Sequence, residues 1–312
     1  MKGPANEGEF TKAPRGDDCA NASDCRGETM SGKRVRSLTR YVATLALATS
    51  LLAVVGGCGV AATAGKDNST GTSPKPAGST ALSAASGGSG SQGDLPQGSE
   101  PVKLDPADFS INIDNPYWPM APGNKWVYSE TDTKGTDQKV VVEVTGKTKM
   151  IANGIEARVI RDTVTENGVP VEITDDWYAQ DKAGNIWYLG EYVTNYKDGK
   201  VVGHGGSFEA GVDGAQPGIA MPANPEPSLS YRQEYYKGEA EDKAAVITVG
   251  EEQVQVPFGY FNKDVLMTRD LVPTEPKVQE LKFYAPNVGP LLSVHTDGAG
   301  GRAELVSYSQ GG

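Results

Sequence analysis

Beyond residue 115 the chain places apolar side chains at every second position. Val140, Val142 and Val144 fall on one side of a stretch whose other side carries Val141, Glu143 and Thr145. Ile155, Ala157, Val159 and Arg161 likewise alternate with Glu156, Arg158, Ile160 and Asp162. A period of two marks a pleated strand, because successive side chains point to opposite faces. Asn153-Gly154, Asn167-Gly168 and Asp198-Gly199 separate such runs, and these pairs accept the positive φ of a tight hairpin. The pattern predicts strands at 138–147, 155–162, 169–180, 186–196, 200–209, 230–236, 244–249, 253–256, 260–271, 278–285, 291–296 and 302–308. No stretch of ten or more residues carries the capped i, i+3, i+4 apolar spacing of a helix. Successive hairpins make an antiparallel meander, so the expected fold is all-β, a partly open barrel or a sandwich.

Two stretches break the alternation. Residues 210–229 contain four Pro and three Gly, and are expected as a loop that neither helix nor ladder crosses. Residues 58–114 are mostly Gly, Ser, Thr, Ala and Pro, with almost nothing to bury, and are expected as a disordered tether. Such a linker of roughly 50 residues reaches about 40 Å. Order is expected from Asn115, because all four Trp and 12 of the 13 Tyr lie beyond it. The folded domain is then 115–309, long enough for one core.

Upstream, Lys33, Arg34, Arg36 and Arg40 precede an uncharged apolar run from Tyr41 to Val55. That run is about 15 residues, shorter than the ~20 needed to span a bilayer as a helix. A basic head, a short apolar segment and small residues describe an export signal at 30–57. Val55-Gly56-Gly57-Cys58 closely resembles the lipobox of bacterial lipoproteins, which implies cleavage after Gly57 and a diacylglycerol-type anchor on Cys58. Met30 is the natural start of such a signal, leaving 1–29 as an upstream extension without function. Its Cys19 and Cys25 have no His nearby and do not make a zinc site.

Charge narrows the partners. The chain carries −11 overall, and the part after Cys58, with 21 Lys and Arg against 34 Asp and Glu, carries −13. That balance argues against nucleic acid and against adsorption to anionic lipid. Membrane attachment is expected through the acyl chains on Cys58, at the outer face of the cell membrane. Cys58 is also the one cysteine left after cleavage, so a disulfide is not expected, nor is any cofactor.

The domain resembles a group of bacterial envelope lipoproteins in four blocks: 115–128 (NPYWPMAPGNKWVY), 176–188 (DWYAQDKAGNIWY), 209–215 (EAGVDGA) and 283–289 (FYAPNVG). The last block and 256–261 (VPFGYF) also resemble, more faintly, the half-barrel of lipoprotein carriers. The resemblance implies an envelope location and brings no catalytic residue.

His204 and His295 are the only histidines and lie on separate predicted strands, which does not suit a metal site. His204, beside Gly203, Gly205 and Gly206, reads as a strand kink. Carboxylates gather at Asp175-Asp176, at Glu209 with Asp213, and at Glu239, Glu241 and Asp242. Adjacent residues of one strand face opposite ways, so Asp175 and Asp176 do not form a catalytic pair by themselves. Trp177, Trp187, Tyr178, Tyr188, Tyr231, Tyr235 and Tyr236 read first as core and cross-strand packing. A ligand site is expected where 210–229 meets Arg232, Glu234 and Tyr236, with Glu209, Asp213 and Trp187 as further candidates. The expected function is binding of a small ligand or of another envelope component. The alternatives are an envelope hydrolase built on Glu209, Asp213 or Glu234 with His204, and a purely structural or assembly role.

Overall fold

The computed structural model describes residues 95–131, 135–274, 276, 278–296 and 301–311. The expected signal with Gly57, the lipid carrier Cys58, the upstream extension and the tether as far as residue 94 lie outside the described residues.

The strands are β1 (Phe109–Ser110), β2 (Lys125–Thr131), β3 (Asp137–Met150), β4 (Glu156–Glu166), β5 (Val169–Asp181), β6 (Ile186–Lys197), β7 (Lys200–Gly203), β8 (Phe208–Glu209) and β9 (Gln216–Met221). They continue with β10 (Ser230–Arg232), β11 (Glu234–Tyr235), β12 (Lys243–Val249), β13 (Val254–Val256), β14 (Gly259–Phe261), β15 (Leu266–Leu271), β16 (Gln279–Ala285), β17 (Gly289–His295) and β18 (Arg302–Ser309). Sixteen of them form one antiparallel sheet whose path runs β10-β12-β15-β16-β17-β18-β2-β3-β4-β5-β6-β9-β11, while β13 and β14 make a separate ribbon. The two ends of the path, β10 and β11, are joined in sequence by Gln233 alone. The sheet therefore curls into a nearly closed barrel, with a seam between β10 and β9–β11. The all-β meander read from the alternation is the observed fold. Two hairpin tips take the expected left-handed pairs, Asn167 and Gly168 at φ 49 and 79°, Asp198 and Gly199 at 52 and 71°.

The structure corrects three boundaries. Residues 95–114 were expected as the end of the tether, yet Leu95 and Ile113 are buried and β1 pairs with Gln180 and Asp181 of β5. Composition misleads here because the segment packs through a few residues, such as Phe109 edge-on to Trp187 at 6.1 Å, rather than through a regular pattern. A ladder does cross 210–229: β9 pairs with β6 from Gly218 to Met221 and with β11 at Gln216 and Pro217. Its proline is tolerated because Pro217 lies at the seam, where pairing is partial. The runs at 200–209, 230–236 and 260–271 each divide into two strands; the last breaks at Asn262–Val265, where Asp264 is left-handed at φ 52°.

Inside the barrel, each long strand changes character along its inward face. On β2 the buried series is Trp126, Tyr128, Glu130; on β5 it is Tyr178, Asp176, Thr174, Glu172; on β16 it is Tyr284, Lys282, Glu280. The three series run in the same sense along the barrel, aromatic first and charged last. Trp118, from the turn before β2, plugs the aromatic end against Tyr178 and Tyr284, at ring distances of 5.6 and 6.5 Å. The opening and closing blocks of the sequence resemblance meet there: Trp126 Nε1 donates to the Val288 carbonyl and the Asn287 amide to the Pro116 carbonyl, each at 2.7 Å. Among the described residues no helix is long and apolar enough to cross a membrane.

Candidate functional site

The seam between β10 and β9 is closed by one side chain. Arg232 is 1% exposed, and its Nε and Nη2 donate to the Pro217 carbonyl of β9 at 3.1 and 2.8 Å. Its Nη1 donates to the carbonyls of Gly98 and Glu100, the latter at 2.8 Å. Residues 95–104 thereby form a strap over the seam. The strap is held further by the Arg232 amide on the Pro96 carbonyl at 2.6 Å and by Gln97 on Ser230. Gly218 permits this closure, because a Cβ there would overlap the backbone of Gln233 and Arg232.

Beside the clasp lies a cavity of about 240 Å³. Gly98 and Ser99 of the strap form one wall, Arg232, Glu234 and Tyr235 a second, and Glu241, Asp242, Lys243 and Pro273 the rest. Among these lining residues Lys243 is exposed, whereas Glu234 and Asp242 are buried. A larger hollow of about 420 Å³ lies on the outside of β3 and β4 and is edged by side chains such as Glu143 and Arg161 that face solvent.

The base of the seam cavity continues into the charged end of the barrel. The Glu234 side chain lies close enough to Asp242 to draw its carboxyl down. Behind them Lys282 Nζ lies 2.6 Å from Asp270 and 3.3 Å from Glu280. Gln233 donates to Asp270 at 3.3 Å, Ser293 to Glu280, and His295 Nε2 stands 3.9 Å from Glu280. Burial pushes Asp242 up to about 7, opposed by Lys282 and supported by the charges of Asp270 and Glu280. Burial likewise raises Glu280 to about 7 against the pull of Lys282. Burial alone would lower Lys282, but Asp270 and Glu280 lift it above its ordinary value and keep it cationic. Across the barrel, burial and then the charge of Asp162 push Asp176 well up, although Tyr188 donates a hydrogen bond to it at 2.9 Å. Charges removed from water without full compensation take up protons instead.

The site residues expected from sequence divide into two groups. Arg232 and Glu234 line the cavity. Tyr236 lies just outside it in a turn onto Ala240, and its neighbour Tyr235 takes the lining position. Trp187 is packed under the strap's continuation, its Nε1 donating to Asp181 at 2.8 Å. Glu209 pairs with Lys149 at 3.0 Å and accepts the Ala152 amide at 2.7 Å, on the outside of the barrel. Asp213 occupies an exposed left-handed turn at φ 49°. His204 stacks on Tyr192 with ring centroids 4.8 Å apart and places Nδ1 2.8 Å from the Val193 carbonyl. Of Glu209, Asp213, Glu234 and His204, Glu234 alone lines the cavity, so the hydrolase set is not assembled there. Asp175 and Asp176 do face opposite ways, Asp175 outward in a bidentate pair with Arg161 at 2.8 and 2.7 Å. Among the described residues no group of three or more His, Cys, Asp or Glu is placed to hold a metal ion.

Asp270, Glu280 and Lys282 are not among the candidates read from the sequence, and Asp242 stands there only as one of the carboxylates gathered with Glu239 and Glu241. The signal for the first three was their phase: Asp270 with Leu266, and Glu280 and Lys282 with Tyr284, share a face with core residues.

No protein-family model and no curated protein matches the sequence. Among solved structures, a candidate lipoprotein from Parabacteroides distasonis is similar at 14% identity over 62% of this chain and 98% of its own, with a TM-score of 0.33. A β-barrel-like protein of a domain of unknown function from Brucella abortus is similar at 14% identity over 60% of this chain and 96% of its own, with a TM-score of 0.31.

Proposed function

We propose that this chain is a binding protein of the cell envelope, held by acyl chains on Cys58 at the outer face of the cell membrane, whose barrel takes a small polar ligand at the seam. The observation that carries the binding site is the cavity of about 240 Å³ lined by the strap at Gly98 and Ser99, by Arg232 and Glu234, and by Asp242 and the exposed Lys243. Pockets of small-molecule size with a few converging polar groups are the usual place for such ligands. The anchor rests on the basic head, apolar run and lipobox at 33–58. A tether ending at Leu95 delivers the membrane attachment to the strap that forms one cavity wall.

Two measurements test the two halves of this reading. Cys58→Ala is expected to move the intact protein from the membrane fraction to the soluble fraction; a protein that stays on the membrane overturns the anchor. Native mass spectrometry of the acylated chain isolated from its own envelope is expected to show a retained small molecule. Ser99→Trp, at an exposed position of the cavity wall, is expected to abolish that retention without changing the circular dichroism spectrum. Undiminished retention in Ser99→Trp, or none in the unaltered protein, overturns the cavity as the site.

A further inference from the structure

The strap lies along an edge that the sheet itself leaves open. Among the described residues β10 pairs with β12 and β11 with β9, and β10 reaches β9 through the Arg232 side chain on the Pro217 carbonyl. The edge of β10 turned away from β12 is covered by the strap. There the Arg232 amide donates to the Pro96 carbonyl, Gln97 Nε2 donates to the Ser230 carbonyl at 2.6 Å, and Gln97 Oε1 accepts the Ser230 hydroxyl at 3.0 Å. Yet the strap forms no strand, and its Pro96 and Pro101 bring no N–H to a ladder. It folds on itself instead, the Glu100 carboxylate accepting the amides of Gln97 and Gly98 at 2.5 and 2.8 Å. Leu95 and Pro96 are buried, whereas Gln97, Ser99, Glu100, Pro101 and Lys103 are exposed. A segment held by exposed hydrogen bonds and few apolar contacts opens at lower free energy than the sheet beneath it.

We propose that the strap is a gate over the seam cavity, which peels off from Leu95 when Arg232 Nη1 releases the Gly98 and Glu100 carbonyls while Nε and Nη2 keep β10 on β9. This rests on the cavity reading above and adds the route by which a ligand enters and leaves. Gly98 and Ser99 are a wall of the cavity, so their departure opens it to solvent without unzipping any ladder. The guanidinium makes the two events separable, because its donors are divided between β9 and the strap. Once the strap lifts, water takes the place of the two carbonyls at Nη1, so the charge is not left buried without acceptors. The far end of the strap stays fixed where β1 pairs with β5, which makes the residues between Glu100 and Phe109 the hinge.

The test is hydrogen exchange, resolved to single amides, at pH 7 on the full acylated chain in detergent. It compares the unaltered protein with Gln97→Ala, an exposed position whose side chain holds Ser230. The Arg232 amide reports the strap, because its acceptor is the Pro96 carbonyl. It is expected to exchange on the order of tenfold faster than the protected amides of β9. Gln97→Ala is expected to speed it about tenfold more, through the loss of two hydrogen bonds, and to leave β9 unchanged. An Arg232 amide as slow as those of β9, or unmoved by Gln97→Ala, overturns the gate. Amides of β9 that exchange in step with Arg232 also overturn it, since the barrel would then open rather than the strap. A second measurement follows the small molecule retained in native mass spectrometry after dilution into plain buffer, and expects it to leave Gln97→Ala about tenfold faster than the unaltered protein. Equal rates of loss leave the cavity as the site and overturn the strap as its gate. No retention in the unaltered protein overturns the cavity reading, and hydrogen exchange then decides the opening of the strap by itself.

Discussion

Replacing Arg232 by alanine should lower the thermal midpoint by about 10 °C and expose the strap to protease. The side chain is fully buried and serves three carbonyls from two segments far apart in sequence, Pro217 on β9 and Gly98 and Glu100 in the strap. Without it those acceptors lose a charged donor, and hydrogen bonds to charged groups contribute about 1.5–3 kcal/mol each. The loss should be on the order of 3–5 kcal/mol, as for other broken buried charge contacts. For a domain of this size that converts to about 10 °C at 2–4 °C per kcal/mol. Trypsin should then cut at Lys103, in the strap, before any site in the barrel. Arg232→Lys keeps the charge but not the planar fork that reaches β9 and the strap together, so it should fall between. If Arg232 were instead a ligand contact of little structural weight, Arg232→Ala would melt with the unaltered protein. Equal midpoints would sink the clasp.

The parts of this architecture visible in the sequence are those with local causes. Alternation gave the strands, and Asn167-Gly168 and Asp198-Gly199 gave hairpins because only left-handed backbone closes so tight a turn. The parts hidden from it depend on partners far along the chain. Arg232 stood out as a candidate because it follows Tyr231 near the end of an irregular stretch, yet nothing local says that its donors go to Gly98 and Glu100, more than 130 residues away. The strap was hidden for the same reason: its composition is that of a tether, and what orders it is a guanidinium on another strand. The buried charges were hidden differently. Carboxylates on a strand usually mark the solvent face, but the face is decided by phase with neighbouring aromatics, and Glu130 is in phase with Trp126 and Tyr128 just as Glu280 is with Tyr284. Asp242 precedes β12, and its burial follows only from the closure of the seam.

Those buried acids should make the barrel more stable in mild acid than in mild alkali, against the usual behaviour of salt-bridged proteins. Asp242 and Glu280 are each raised to about 7, first by burial, and Asp176 is raised well above its ordinary value by burial and by Asp162. The groups that face them are Glu234, Asp270, Lys282 and His295 on one side of the barrel, and Asp162, Tyr188 and Glu172 on the other, with Asp175 acting on Asp176 from the outer face. In the unfolded chain such carboxyls titrate near pH 4, so between about pH 4 and 7 the folded protein holds more protons than the unfolded one. Stability then falls as pH rises through that window: the contribution is complete below about pH 4 and gone above about pH 7. A single group moved by three units is worth on the order of 4 kcal/mol, so two of them should place the thermal midpoint at pH 5 about 10 °C above that at pH 8. Asp242→Asn and Glu280→Gln carry the neutral form at every pH. Each should raise the midpoint at pH 8 and flatten the profile, while changing little at pH 5. The measurement is a set of melts from pH 4.5 to 8.5 at constant ionic strength, on the unaltered protein and both variants. A midpoint that climbs from pH 5 to pH 8, or variants that melt lower than the parent at pH 8, would mean that these carboxyls are ionised in the folded barrel and compensated by charge. A profile that falls with pH and flattens in Asp242→Asn would place one of those protons on Asp242, beside the seam cavity.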